Sequence, residues 1–173
     1  MDEVTLLSTD GHAIGVTTKD AVHTTDTALH LAFSCHVLDR EGRLLVTRRA
    51  LSKRTWPGVW TNSFCGHPRP GEDMADAVRR RAEDELGLAL RDITLVLPDY
   101  RYRAVDASGI VENEICPVHI AIADGPLSPA ADEVSEWTWV DPAAFADAVA
   151  AAPFAFSPWL VEQLPQLRAV GAV

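Results

Sequence analysis

Cysteine is scarce in this sequence. Cys35, Cys65 and Cys116 are too few and too widely spaced to form a disulfide framework. Long apolar runs are missing too. The most hydrophobic stretch, 143–161, is interrupted by Asp147, Pro153 and Pro158 and does not read as a membrane span. The beginning, Met1-Asp2-Glu3-Val4, is acidic and lacks the basic and apolar regions of a signal peptide. A cytoplasmic protein with reduced thiols is expected. Positive charge is in deficit: 15 Lys and Arg face 25 Asp and Glu, a formal net charge of −10. That balance argues against nucleic acid as a partner, which needs a basic footprint. Repeats and low-complexity linkers are absent, so no domain boundary is expected within 1–173. No spare apolar face is legible, which points to a monomer.

The remaining composition, 47% hydrophobic and 23% charged over 173 residues, describes one soluble domain with a sizeable core. All Lys and Arg except Lys19 and Arg168 lie between Arg40 and Arg103. A local basic cluster in an acidic chain suits a small anionic ligand such as a phosphate ester. Leu31, Phe33, Cys35 and Val37 alternate with Ala32, Ser34 and His36, which predicts a strand over 31–37. A turn at 39–42 and a strand over 43–49 would complete a hairpin. Met74, Ala77, Val78, Ala82 and Leu86 form an apolar stripe, predicting a helix over 73–86 that stops at Gly87. Strands are expected at 93–97, 100–105, 110–123 and 137–140, and closing helices at 142–151 and 157–167. Strands, one helix, strands and then helices make an α/β (α+β) arrangement, a mixed β-sheet sandwiched between helices.

Chemistry concentrates in 62–68, Asn-Ser-Phe-Cys-Gly-His-Pro, where a thiol sits two residues from an imidazole. Period two along 110–123 puts Glu112 and Glu114 on one face, with Cys116 beyond. Neighbouring carboxylates repel unless a cation or proton lies between them. With His23, His30 and His67 they compose a possible site suited to Zn, Mn or Fe rather than Ca. On parity alone His36 could stand in for His30, while His12 and His119 have no evident partner.

Two resemblances follow from longer motifs. Gly66-x5-Glu72-x7-Arg80 followed by Glu85-Leu86-Gly87-Leu88 resembles the Nudix box, whose carboxylates hold divalent metal against a diphosphate. The box has Glu where this chain has Arg81, and again where it has Asp84, which speaks against diphosphate hydrolysis while keeping the fold. The blocks Lys19…His23…His30-Leu31-Ala32-Phe33-Ser34, 45–53, 56–68, Tyr100-Arg101-Tyr102, Glu112-Asn113-Glu114 and Ser157-Pro158-Trp159 resemble type I isopentenyl-diphosphate isomerases. The likeness runs from about Lys19 to Trp159. It implies a single Nudix-fold domain over 1–173, with 1–18 and 168–173 peripheral.

That resemblance implies interconversion of isopentenyl diphosphate and dimethylallyl diphosphate through a carbocation-like intermediate. It places the acid–base pair on Cys65 and Glu114, the cation-facing aromatic on Trp159 and a phenol beside Glu114 on Tyr102. A transition metal, Mn²⁺ or Zn²⁺, would be held by His23, His30, His67, Glu112 and Glu114. Mg²⁺ would be held by Glu85 and the backbone carbonyl of Cys65, and the diphosphate by Lys19, Arg49 and Lys53. Arg48, Arg54, Arg80 and Arg81 are expected to be surface or structural charges. The rival readings are a Nudix hydrolase of a nucleoside diphosphate derivative and a non-catalytic metal- or prenyl-diphosphate-binding module.

Overall fold

In the computed structural model, which describes residues 3–173, the chain opens with a hairpin of β1 (Glu3–Leu7) and β2 (Ala13–Thr18). One helical turn, α1 (Lys19–Val22), leads to β3 (His30–Leu31), β4 (Phe33–Leu38), β5 (Leu44–Arg49), β6 (Trp60–Thr61) and β7 (Phe64–Gly66). Helix α2 (Met74–Leu86) precedes β8 (Leu90–Leu97), β9 (Arg101–Val105), β10 (Val111–Ile115), β11 (Val118–Ala123) and β12 (Val134–Val140). Helices α3 (Pro142–Ala151) and α4 (Pro158–Ala169) close the chain.

The strands make two sheets. A five-stranded sheet runs β2-β1-β3-β10-β9, and a seven-stranded sheet runs β12-β5-β4-β11-β8 with β6 on β5 and β7 on β4. Apolar residues of the larger sheet face both ways. Phe33, Cys35 and Val37 pack against Val78, Ala82 and Leu86 of α2. Leu44 and Val46 pack against Phe145 and Val149 of α3 and Leu160 and Leu164 of α4. The expected mixed sheet between helices is thus present, with a second sheet beside it. No helix among the described residues is long and apolar enough to cross a membrane.

Three expectations change. The strand expected over 110–123 breaks at Cys116-Pro117 into β10 and β11, which belong to different sheets. Pro117 has no N–H to continue a ladder. The strand expected over 31–37 breaks at Ala32 in the same way, and the two crossovers run side by side. Ala32 N–H donates to Ile115 O at 3.0 Å and Ser34 N–H to Pro117 O at 3.1 Å. The third change concerns 1–18, expected to be peripheral. Met1 and Asp2 lie outside the described residues, but 3–18 supply β1 and β2, and Val4 is fully buried.

The central stretch is seated by a forked hairpin. β4 and β5 pair only at their turn, Leu38 with Leu44. Beyond it they diverge, and 60–66 fills the fork. Thr47 pairs with Thr61 on one side and Ser34 with Cys65 on the other.

Helix α2 has strong ends. Asp73 caps its first turn, accepting from Ala75 N–H at 2.9 Å and Asp76 N–H at 3.3 Å. Gly87 ends it in the left-handed region at φ 55°. A Cβ on Gly87 would lie 2.7 Å from Ser128 O. Gly87→Ala is therefore expected to cost more than about 1 kcal/mol, the left-handed penalty alone, before the clash is added. Urea unfolding followed by circular dichroism should show a lower midpoint, and an unchanged midpoint would contradict this role.

Candidate active site

β10 lies between β3 and β9, and its register sets the centre of the site. Glu114 is opposite His30 on one side and opposite Tyr102 on the other. Three side chains from distant parts of the sequence are thereby aligned across one sheet face. Glu112, two residues back, shares that face. His67 arrives from the end of β7 and His23 from the end of α1.

One ring nitrogen each of His23, His30 and His67 and a Glu114 oxygen fall within 4.8 Å of one another. Glu114 Oε1 is 3.3 Å from His67 Nε2 and 3.4 Å from His30 Nε2. The outer ring nitrogens are fixed by backbone: His30 Nδ1–H donates to Ala28 O at 2.9 Å and His23 Nδ1–H to Lys19 O at 3.3 Å. That tautomer leaves each Nε2 lone pair facing inward, the second-shell arrangement of metal-bound histidine. His30 Nε2 is buried without a hydrogen-bond partner. An orphaned buried nitrogen beside two imidazoles and a carboxylate fits a divalent metal ion. Glu112 stands next to this group rather than inside it. Its Oε2 lies 2.9 Å from His23 Nε2 yet has no hydrogen bond, and its Oε1 accepts from Thr55 at 2.8 Å.

Electrostatics divide the proton-carrying groups. Burial would raise the Glu114 pKa, but contacts with His30 and His67 outweigh it and hold the carboxyl well below its ordinary range. Burial pushes the Cys65 thiol up to about 12, against hydrogen bonds from Ser34 and Asn62. Burial, with the Glu114 charge adding to it, also holds Tyr102 far above its usual value. At neutral pH the site contains a thiol, a phenol and a carboxylate.

These groups open on a cavity of about 250 Å³. Lys19, His23, Arg49, Lys53, Cys65, His67, Glu85, Tyr102, Glu112, Glu114 and Trp159 all line it, and of the sequence-derived candidates only His30 stays behind the wall. Gly66 is required between Cys65 and His67, because a Cβ there would meet Arg81 Cγ at 2.8 Å and Phe33 Cζ at 2.9 Å. Trp159 is anchored by its indole N–H to Asn62 Oδ1 at 2.8 Å. Its ring lies 5.7 Å from Tyr102, 5.4 Å from Trp56 and 5.5 Å from the Arg49 guanidinium carbon.

The cavity wall also carries a group of cations. Lys53 pairs with Glu133, and burial together with Arg49, Lys19 and Arg81 lowers its pKa to about 8, while Glu85 opposes the shift. Arg81, expected at the surface or in a structural pair, is buried, lines the cavity and pairs with Glu85 and, at 3.5 Å, with Glu133. The i, i+4 spacing puts Arg81 and Glu85 on one helix face, where they pair. It gave no sign of their burial, which comes from the β11–β12 connection bringing Glu133 over them. Thr55 and Glu133 carry no motif of their own and were not singled out from sequence, and Asn62, though it opens the 62–68 stretch, was given no role there.

The family profile described as NUDIX domain matches residues 28–160. The isopentenyl-diphosphate Delta-isomerase of Clavibacter sepedonicus is 66% identical over 164 residues, covering 95% of this chain and 86% of its own. That of Leifsonia xyli subsp. xyli is 59% identical over 170 residues, covering 97% and 92%. Among solved structures, DR0079 from Deinococcus radiodurans is similar with a TM-score of 0.73 at 18% identity, covering 95% of this chain and 98% of its own, a likeness of fold. Placed beside this cavity, these matches show that the chain belongs to the isopentenyl-diphosphate Delta-isomerase family within the Nudix fold.

Proposed function

We propose that this chain interconverts isopentenyl diphosphate and dimethylallyl diphosphate, with Cys65 and Glu114 as its acid–base pair. The observation that carries the reading is one cavity in which a thiol, a buried carboxylate, an indole and several cations meet. The reaction adds a proton to one alkene carbon and removes one from another. An unactivated alkene is a very poor base, so the site must exclude water and present an acid and a base to a fixed substrate. A protonated Cys65 and an ionised Glu114 hold one proton between them before substrate binds, and each turnover, in either direction, restores that inventory. Tyr102, a neutral phenol whose strand pairs it with Glu114, would donate to that carboxylate. Trp159 presents an electron-rich face to developing positive charge. Such a contact is worth roughly 2 kcal/mol when desolvated, about thirty-fold in rate.

Lys19, Arg49 and Lys53, with Arg81 beside them, bind the diphosphate. His23, His30, His67 and Glu114, with Glu112 alongside, would hold a transition metal, Mn²⁺ or Zn²⁺, and Glu85 with the Cys65 carbonyl would hold Mg²⁺. When bound, these ions supply positive charge beside Glu114 and neutralise the diphosphate. Hydrolysis of a nucleoside diphosphate derivative is less well supported, because Arg81 occupies a position where the Nudix box has a carboxylate and pairs with Glu85.

Cys65→Ala and Glu114→Gln should each lower turnover by more than about a hundred-fold, the scale of lost acid–base catalysis, while inorganic pyrophosphate still binds by calorimetry. Substantial activity in either variant would remove that residue from the mechanism. His67→Ala should be purified with less transition metal by elemental analysis, and wild-type metal content would remove His67 from the ligand set. The lowered Lys53 pKa predicts a pH effect on binding. Lys53 is charged below about pH 8 and loses its proton above it, so pyrophosphate affinity should fall as pH rises through that value. Lys53→Arg keeps its charge and should lack this component. Identical pH profiles for the two proteins would contradict it.

A further inference from the structure

Ser34, His36 and Gln163 are fully buried polar side chains in a layer otherwise filled by apolar residues such as Leu160, Leu164 and Leu167. Polar groups in such a place are unfavourable unless each is hydrogen-bonded. These three bond to one another in a line that ends at the sulfur of Cys65. His36 Nε2 lies 2.9 Å from Gln163 Oε1, Gln163 Nε2 lies 2.9 Å from Ser34 Oγ, and Ser34 Oγ lies 3.3 Å from Cys65 Sγ.

The line has a direction, set at its far end. His36 Nδ1 is buried and has no partner. A neutral ring carries one N–H, and a buried N–H left unpaired is rarer and costlier than an unpaired acceptor. The proton therefore sits on Nε2 and is donated to Gln163 Oε1. Burial, opposed by the Gln163 contact, lowers the His36 pKa to about 4, so the ring is neutral under ordinary conditions. With its oxygen occupied, the Gln163 amide donates N–H to Ser34 Oγ. Ser34 then directs its own O–H onward. Two sulfurs are in reach, Cys65 at 3.3 Å and Cys116 at 3.5 Å, and Cys65 is the nearer and the one that lines the cavity.

The other side of that sulfur is held as firmly. Asn62 donates N–H to Cys35 O at 3.1 Å and Phe64 O at 2.7 Å, which locks its amide, and its Nδ2 also lies 3.4 Å from Cys65 Sγ. Asn62 Oδ1 accepts from Trp159 and Thr61, both at 2.8 Å, and lies 3.4 Å from Cys65 Sγ. The sulfur thus sits between the Ser34 hydroxyl on one side and both polar atoms of the Asn62 amide on the other.

We propose that His36, Gln163 and Ser34 form a one-way chain of hydrogen bonds delivering a donor to Cys65, with Ser34 and Gln163 acting as positioning residues for the reacting thiol. The proposal rests on the reading of Cys65 as a group that exchanges a proton with substrate.

The test is a double-mutant cycle on the metal-replete full chain, using Ser34→Ala, Gln163→Met and the double variant, with Cys65→Ala as control. Each single change should lower kcat by roughly ten- to a hundred-fold, the scale of one hydrogen bond to a charged group. KM for isopentenyl diphosphate should change little, while Tm should fall, because each change leaves a buried N–H unpaired. In the Ser34→Ala background, Gln163→Met should lower kcat no further, because it acts only through Ser34. Multiplying effects, a lower Tm with unchanged kcat, or a raised KM with unchanged kcat would each overturn the chain. Gln163→Met preserves volume, so if Ser34→Ala does not fold, its kcat alone decides in the same sense. An inactive Cys65→Ala beside fully active Ser34 and Gln163 variants would overturn only this proposal. An active Cys65→Ala would overturn the underlying reading of the thiol.

Discussion

The constraint on which this molecule turns is a carboxylate, Glu114, buried to 5% exposure. An isolated carboxylate so far from water would take up a proton. Glu114 stays ionised because strand register puts His30 beside it and the fork in the larger sheet brings His67 to its other side. Both placements require the chain to change sheets twice in parallel, at Ala32 and at Cys116-Pro117. The crossovers break the regularity of two strands and in return bring residues far apart in sequence onto one face. The hairpin of β1 and β2 shields the far side of β3 and so belongs to the same arrangement.

Around this centre the cavity brings several kinds of group together. Its wall combines imidazoles and carboxylates, the sulfur of Cys65, the rings of Tyr102 and Trp159, and the cations Lys19, Arg49, Lys53 and Arg81. Those cations are drawn from a chain with a net charge of −10. Glu85 and Glu133 hold Arg81 and Lys53 in place by pairing, since crowded cations repel and burial disfavours their charge. A dianionic ligand can replace part of that pairing, which couples ligand charge to the protonation of Lys53.

Much of this was legible in the sequence, and what was not has physical causes. Helix α2 could be read because an apolar stripe, an Asp cap and a terminal Gly agree with one another. The candidate residues were legible because they lie in ordered blocks resembling one family, and all but His30 face the cavity. The breaks in 31–37 and 110–123 were hidden, because apolar alternation continues through them and only tertiary pairing assigns the halves to separate sheets. The sheet role of 3–18 was hidden because Val4 and Leu7 are the only large buried apolar residues there. The burial of Arg81 and the seating of Thr55, Asn62 and Glu133 depend on loops meeting in space, which spacing along the chain does not encode.

The central claim is that the cavity moves a proton onto one carbon of an alkene and off another. Proton NMR of isopentenyl diphosphate in D₂O, with the metal-replete protein and Mg²⁺, tests it most directly. The account predicts dimethylallyl diphosphate with deuterium in the newly formed methyl group, since the proton delivered there comes from exchangeable groups. Product formed without deuterium, or unchanged isopentenyl diphosphate together with phosphate release from a nucleotide panel, would contradict it.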